Sequence, residues 1–161
     1  MKFFTASLLS LSAVVLSVMG STIPPATWTR IEDVSSEVNG NITALEKRGG
    51  PEYVTCYNSG TKIDRAPSVT CIDNFCASVF GTRLAPGQTV ALRYYWGSFT
   101  ILLSAQAING CSWSIDKNCN RLLRKPLDEC NTRGENGKQG GYVTDLCGQW
   151  RYDPGSNGSD E

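Results

Sequence analysis

The chain has 161 residues, with 15 basic and 15 acidic side chains, seven cysteines and no histidine. The missing histidine excludes Ser-His-Asp, Cys-His and histidine-based ribonuclease sites, so we expect a non-enzymatic protein. A net charge of zero argues against nucleic acid as the main partner. Because histidine and paired C-x-x-C spacings are both missing, we expect neither a metal site nor another cofactor.

The first 20 residues predict a secretory signal peptide. One lysine precedes an apolar stretch, and Val18 and Gly20 supply the small side chains that favour cleavage after Gly20. The apolar stretch is slightly shorter than the roughly 20 residues of a spanning helix, and it contains several serines. We therefore expect a secreted, extracellular protein without stable membrane insertion.

Residues 21–48 predict a pro-segment. They contain no cysteine and too little apolar surface to fold alone, and they end at the dibasic pair Lys47-Arg48, which suits a kexin-type protease. We expect this segment either to assist folding and export or to hold a harmful product inactive. Sequons for N-glycosylation begin at Asn41 in this segment and at Asn157 near the C-terminus.

All seven cysteines follow the dibasic pair, in a predicted globular domain spanning residues 49–153. Three disulfides at about 2–4 kcal/mol each would match the whole stability of a small domain, about 5–15 kcal/mol. The odd cysteine is either free or pairs with a second copy in a homodimer, and the connectivity stays open. The candidates are Cys56, Cys71, Cys76, Cys111, Cys119, Cys130 and Cys147.

Residues 52–57 predict a short strand, and an amphipathic helix follows it. Thr70 with an acidic residue three positions on suits a capping box, so the helix is expected to begin there and to end at Gly81. Cys71 and Cys76 lie about 140° apart around such a helix and should bond to two different neighbours. The apolar stripe consists of Ile72, Phe75, Cys76, Val79 and Phe80.

Residues 90–96 and 99–105 predict a β-hairpin around Gly97-Ser98. Glycine at the first position of a two-residue loop suits a type II′ turn, whose twist matches that of the flanking strands. This turn fixes the register and pairs apolar residues along one face, which we therefore assign to the core. The predicted pairs are Trp96 with Phe99, Tyr94 with Ile101, Leu92 with Leu103, and Val90 with Ala105.

A second helix is predicted to begin near Ser114 or Asp116, with a kink or a break at Pro126. Cys119 and Cys130 share one face of this helix at a separation of about 16 Å, which is beyond the reach of a disulfide. Both cysteines are therefore expected to bond outward, to strands or loops.

Residues 141–152 predict the last strand, and residues 154–161 predict a flexible tail. One face of this strand is expected to carry Tyr142, Thr144, Leu146, Trp150 and Tyr152. The order of elements predicts an α+β fold, with a small antiparallel sheet of about four strands and two packed helices. We expect the whole to form a disulfide-stabilised α/β sandwich.

The segment CNTRGENGKQGGYV, residues 130–143, and the segment CGQWRYDP, residues 147–154, carry a resemblance. They resemble the C-terminal motif of small secreted fungal cysteine-rich proteins of the mushroom glycan-binding, lectin-like family. The resemblance covers mainly residues 119–154 and implies a cysteine-bridged sheet-and-helix sandwich that binds complex glycans. Pro126 departs from the family's pattern. A weaker likeness, in architecture alone, is to fungal killer-toxin-like proteins.

The glycine-rich turn of this motif lets backbone groups approach a ligand closely, and its amide and cationic side chains supply donors for sugar hydroxyls. A structural interpretation is also open, in which the glycines only turn the chain from helix to strand. Trp150 is expected to lie in the core. The candidate ligand-binding residues are Asn131, Arg133, Asn136, Lys138, Gln139, Arg151, Tyr152 and Tyr95.

We therefore expect a secreted glycan-binding or effector-like protein whose partners are cell-surface or cell-wall glycans. The alternative is a killer-toxin-like or necrosis-inducing toxin that acts on competing or host cells. One structural feature bears on ligand binding. Binding is favoured if Tyr95, Arg93 and Arg151 share an open sheet face near the glycine-rich turn, and disfavoured if a helix covers that face.

Overall fold

The computed structural model describes residues 28–36, 50–131 and 133–156. The predicted signal peptide, the dibasic pair and the two sequon asparagines, Asn41 and Asn157, lie outside the described residues. All seven cysteines lie inside them.

Two helices and eight strands make up the described fold. The helices are α1 (Arg65–Val79) and α2 (Cys119–Glu129). The strands are β1 (Arg30–Asp33), β2 (Tyr53–Cys56), β3 (Arg83–Leu84), β4 (Thr89–Trp96), β5 (Phe99–Ala107), β6 (Trp113–Ser114), β7 (Gly141–Thr144) and β8 (Gly148–Ser156). Six strands form one antiparallel sheet in the order β1-β4-β5-β8-β7-β2, and β3 pairs with β6 in a small second sheet.

The predicted antiparallel sheet with two helices is confirmed, but its size was underestimated. The main sheet has six strands rather than about four. One additional strand, β1, comes from the predicted pro-segment and pairs with β4. Another arises because residues 141–152, predicted as one strand, contain β7, a turn and the beginning of β8.

The β4–β5 hairpin is confirmed together with its register. Trp96 pairs with Phe99, and the three other predicted pairs also form. Gly97 has a φ of 58°, which places a residue without a Cβ where the turn needs a left-handed backbone. Tyr94 and Ile101 are completely buried, so the assigned face does belong to the core.

Asp145 makes the turn between β7 and β8. Its Oδ1 accepts hydrogen bonds from the backbone N–H groups of Cys147 (3.0 Å) and Gly148 (2.7 Å). This turn reverses the chain, so the predicted single face is wrong. Tyr142 and Thr144 pair with the strand β8 on the face opposite Trp150 and Tyr152, while Leu146 in the turn is 61% exposed.

The predicted flexible tail begins too early. β8 continues through Pro154 to Ser156, which pairs with Phe99 of β5. Because β8 pairs with β5 along its whole length, residues 154–156 belong to the sheet, although their composition predicted a solvent-exposed tail.

Helix α1 begins at Arg65, five residues before the predicted cap at Thr70. Pro67 lies in the first turn, where its missing N–H has no helical partner to lose, so the proline does not delay the helix. Thr70 donates its hydroxyl to the Ala66 carbonyl (3.1 Å) within the helix instead of capping it. Most of the predicted stripe is buried, but Phe80 follows the last helical residue and is 66% exposed.

Helix α2 begins at Cys119, because residues 113–114 form β6 instead of the predicted first turn. Pro126 lies inside the helix without ending it, and α2 continues to Glu129. The Cys130 N–H closes the last turn on the Pro126 carbonyl at 3.4 Å. Cys130 thus follows the helix and belongs to the loop after it.

The three disulfides join Cys56 to Cys130, Cys76 to Cys119, and Cys111 to Cys147. Cys119 bonds to helix α1, so its predicted bond to a strand or loop was wrong, whereas Cys130 does bond to the end of a strand.

Cys71 is the odd cysteine, and its placement corrects two expectations. It is free and completely buried, and burial raises the pKa of its thiol to about 12. It therefore does not tie α1 to a second neighbour. A thiol with no exposed surface also has no access to a second copy, which argues against the expected homodimer through this cysteine.

The core lies between the two helices and one face of the large sheet. Trp150 of β8 is completely buried and its ring lies 5.3 Å from that of Trp113, so the core interpretation of Trp150 is confirmed. Tyr152 is also completely buried, with its hydroxyl 2.8 Å from that of Ser68 on α1. In the described part of the chain, neither helix has the length and apolarity to span a membrane.

Glu52 connects the chain before β2 to helix α2. Both of its carboxylate oxygens accept hydrogen bonds from Arg121, at 2.6 and 2.7 Å, and Lys125 Nζ lies 3.4 Å away. The bonds from Arg121 lower the pKa of the Glu52 carboxyl to about 2. A carboxyl whose pKa is lower in the folded state stabilises the fold fully above its unfolded pKa and loses that contribution as the pH falls toward 2.

Glu52→Gln is expected to lower the free energy of unfolding by about 1 kcal/mol at pH 7, a value reduced for the partial exposure of Arg121. Denaturant unfolding of both proteins between pH 7 and pH 2 measures the difference, which should shrink between about pH 4.5 and pH 2. Glu129→Gln is the matched control, because Glu129 contacts the same Lys125 but is more exposed. A constant difference over this pH range would contradict the assignment.

Candidate functional site

Two adjacent loops, which we call the paired loops, form a polar region at one end of the sheet. They comprise residues 57–64, between β2 and α1, and residues 131–140, between α2 and β7, where Thr132 is not described. The disulfide between Cys56 and Cys130 joins the two positions from which the loops start. Each loop is therefore fixed at its origin.

Backbone hydrogen bonds connect the paired loops along their length. The Tyr57 N–H donates to the Gly140 carbonyl at 3.1 Å. Ile63 and Lys138 exchange two backbone bonds, of 2.8 and 3.1 Å, in an isolated antiparallel bridge. These bonds connect the two loops at two places, near their bases and at the isolated bridge.

Gly140 and Gly141 end the second loop where no larger residue fits. Gly140 has a φ of 90°, and a Cβ at this position would overlap the Tyr152 carbonyl oxygen and lie 2.7 Å from Pro154 Cδ. A Cβ on Gly141 would overlap the Thr55 carbonyl oxygen. The glycine pair therefore lets the chain pack closely against β8 and β2. This agrees with the interpretation in which the glycines have a structural role.

Three of the predicted ligand-binding residues are buried. Tyr152 is in the core, and Lys138 and Gln139 are each 5% exposed. Lys138 Nζ donates to the Asn131 carbonyl at 3.3 Å, and the Gln139 N–H donates to Asn131 Oδ1 at 3.0 Å. These contacts hold the second loop in shape, and we leave Tyr152, Lys138 and Gln139 out of the proposed ligand surface.

Three other predicted residues meet at a polar hollow of about 450 Å³, which we call the amide hollow. Its lining consists of Lys62, Asn131, Arg133, Asn136 and Gly137. The side chains of Asn131, Arg133 and Asn136 are exposed, and Lys62 enters from the first loop. The hollow thus presents amide groups, which donate and accept, beside two cations, which only donate.

A second hollow, of about 410 Å³, lies on the first of the paired loops and is lined by Tyr57, Asn58, Ser59, Gly60, Thr61, Asp153 and Pro154. Arg151, another predicted residue, lies beside it, with its guanidinium carbon 5.6 Å from the centre of the Tyr57 ring. Arg151 Nε donates to the Tyr57 hydroxyl, and Nη2 lies 3.3 Å from Asp153 Oδ2. Burial raises the pKa of the Tyr57 hydroxyl above its usual value.

Sequence reasoning missed Lys62 and Tyr57 as site residues. The sequence does mark this region. The stretch NSG directly after Tyr57 has a turn-forming composition, which indicates a loop, and Cys56 precedes it. The pairing of Cys56 with Cys130, which brings this loop to the predicted motif, was one of many open connectivities.

Tyr95 lines neither the amide hollow nor the second hollow. It is on β4, where its hydroxyl donates to Glu32 Oε2 at 2.6 Å and accepts from Arg30 Nη2 at 2.7 Å. The register places Tyr95, Arg93 and Arg151 on the sheet face opposite the buried Tyr94 and Trp150. The face is not fully open, because Ala91, Thr100 and Ser104, which lie on it, are buried.

The described residues contain no group of three or more cysteine, aspartate or glutamate side chains arranged to hold a metal ion. The chain matches no protein-family model, no curated protein and no solved structure. The amide hollow and its neighbour are therefore interpreted from their own chemistry.

Proposed function

We propose that the protein is a secreted, non-enzymatic glycan-binding protein and that the amide hollow is its ligand site. The observation that carries the proposal is the convergence of Lys62, Asn131, Arg133 and Asn136 from two loops on one hollow of about 450 Å³. A volume of this order accommodates a small ligand such as one or two sugar units.

The chemistry of the lining supports a sugar ligand. Hydroxyl groups of a sugar donate and accept hydrogen bonds, and an asparagine amide matches both functions with a planar pair of groups. Lys62 and Arg133 add donors and positive charge, which favours a glycan that carries a carboxylate or a sulfate. The Cys56–Cys130 bridge and the bond from Gln139 to Asn131 preorganise the loops, which reduces the entropy lost on binding.

Secretion is the compartment that this fold suits best. Its three disulfides form and persist in oxidising environments and are rare in the cytosol. They agree with the signal peptide that the sequence predicts.

The expected result is that the folded protein, isolated from the medium of a secreting host, binds a subset of glycans on an array. Binding should prefer acidic glycans, and the combined change Arg133→Ala and Asn136→Ala should weaken it at least about tenfold, the equivalent of 1.4 kcal/mol. Dissociation constants for the best glycan measure this effect.

Arg83→Ala is the matched control, since Arg83 is also an exposed arginine but lies on β3, outside the paired loops. It should leave glycan binding unchanged. If the protein binds no fungal, plant or animal glycan, or if the control and the loop variant lose affinity equally, the glycan proposal fails.

A killer-toxin-like or necrosis-inducing function is the second candidate. The observation that favours it is the coarse architecture, in which two helices pack on one face of an antiparallel sheet stabilised by three disulfides. Growth inhibition of competing fungi or leaf necrosis caused by the protein, without glycan binding, would support this function over the first.

A further inference from the structure

Strand β1 lies in the predicted pro-segment but belongs to the main sheet. It occupies the edge next to β4, and among the described strands β4 is the one with which it pairs. The dibasic pair Lys47-Arg48 follows β1 in the sequence and precedes β2. Cleavage after Arg48 would therefore separate an edge strand from the rest of the sheet.

Main-chain groups supply most of the contact between β1 and β4. The N–H groups of Thr29, Val34 and Ser36 donate to β4 carbonyls at 2.8 to 3.0 Å. The Ser35 and Ser36 hydroxyls accept the N–H groups of Ala91 (3.0 Å) and Thr89 (3.2 Å). The bonds between main-chain groups require an extended partner but depend little on its sequence, whereas the two hydroxyl bonds need a serine or a similar side chain.

One aromatic side chain anchors the segment. Trp28 is half-buried and packs edge-on against Tyr94, with ring centres 5.4 Å apart, and against Trp96 at 6.3 Å. On the other face of β1, Arg30 lies 4.1 Å from the centre of the Tyr95 ring, and the Tyr95 hydroxyl bonds to Arg30 and Glu32. These groups are exposed or half-buried, so water weakens the contacts. The segment is thus held by backbone hydrogen bonds, one half-buried ring and a polar contact at the surface.

The affinity of β1 for β4 depends on whether the two are in one chain. While the chain is intact, β1 is held near the edge of β4 at an effective concentration of about millimolar order. A dibasic-specific protease hydrolyses the Arg48–Gly49 bond with one water, which leaves a carboxylate on Arg48 and an amino group on Gly49. After this cut the segment is a separate molecule, and its binding depends on its concentration.

We propose that the edge of β4 is a strand-docking site, and that residues 28–36 occupy it until the chain is cut. The freed edge presents unpaired N–H and C=O groups beside the vacated place of Trp28, next to Tyr94 and Trp96. Its partner is an extended segment of another protein that adds antiparallel to β4 and inserts an aromatic side chain where Trp28 lay. Trp96, which borders this edge, also lines a hollow with Lys62 of the first loop, so the two surfaces are neighbours. Strand docking on β4 nevertheless does not require glycan binding.

The test begins with the intact, folded protein carrying Lys47→Ala and Arg48→Ala as the uncut form, and with the unchanged protein cut in place by a kexin-type protease. Both are diluted to about 1 µM, far below the effective concentration of a tethered segment. Native mass spectrometry and size-exclusion chromatography should then show loss of more than half of the cut segment. The uncut protein should keep it.

The second part of the test measures peptide binding to the exposed edge of β4. A fluorescent peptide with the sequence of residues 27–37 should bind to the cut protein after the segment is removed, but not to the uncut protein. The same peptide with Trp28→Ala should bind at least tenfold more weakly. An unlabelled peptide with an unrelated sequence that keeps the tryptophan at this position should compete.

Three results would overturn the proposal. The cut segment could stay bound at this dilution, which would make it a permanent second chain. The cut protein could release the segment but bind neither the native peptide nor the competitor. Circular dichroism could show that release unfolds the disulfide-linked domain, in which case no docking edge exists.

Discussion

Gly140→Ala is expected to lower the free energy of unfolding by at least about 3 kcal/mol, one of the largest effects of a single methyl group in this protein. The added Cβ would overlap the Tyr152 carbonyl oxygen and lie 2.7 Å from Pro154 Cδ. A backbone carbonyl in a paired strand cannot move aside cheaply, so the loop must shift instead. The φ of 90° adds strain for any residue with a side chain. Denaturant unfolding at neutral pH measures the loss.

Gly137→Ala separates the two causes. Gly137 has a φ of 78°, but an added Cβ meets no atom within 4 Å. It should therefore cost only the backbone strain of about 1–2 kcal/mol. Equal losses in the two variants would show that overlap with β8 contributes nothing to the destabilisation by Gly140→Ala. The glycine at this position would then not be needed for the second loop to pack against β8.

Local signals in the sequence predicted local structure well. The hairpin of β4 and β5 needs only Gly97 at the turn and alternating apolar residues, all within one short stretch, and its register was predicted correctly. Helix α1 was predicted in the right region but begins at Arg65 rather than Thr70, because Pro67 fits the first turn of the helix. A proline in the first turn is as compatible with a helix as one before it.

Pairing between distant segments could not be predicted in the same way. β1 joins the sheet although its residues have no strong alternation, because it pairs with the edge of β4 mainly through backbone hydrogen bonds. The turn at Asp145 depends on one carboxylate oxygen that accepts two backbone N–H groups, a contact that leaves no periodic pattern.

The candidate site was predicted in part for the same reason. The motif pointed to the second of the paired loops, and Asn131, Arg133 and Asn136 do meet at the amide hollow. Polarity alone could not distinguish them from Lys138 and Gln139, which are buried where the two loops pair. The disulfide that joins the origins of these loops was one of the pairings that the sequence left open.

Replacing Cys56 and Cys130 together with serine is expected to lower the free energy of unfolding by about 4 kcal/mol. The bridge closes a loop with a sequence separation of 74, so its removal returns a large conformational entropy to the unfolded chain. Replacing Cys76 and Cys119 with serine should cost a similar amount, because the dependence on loop length is only logarithmic and their separation is 43.

The two double variants should differ in the paired loops. Without the Cys56–Cys130 bridge, the loops lose the covalent link at their origins, and the backbone bonds of Tyr57 with Gly140 and of Ile63 with Lys138 remain to connect them. Amide hydrogen exchange under native conditions should therefore accelerate at these two residues in that variant, while the Cys76–Cys119 variant keeps their protection relative to its global stability. If both variants expose these amides equally, the bridge stabilises the fold as a whole and does not specifically organise the site.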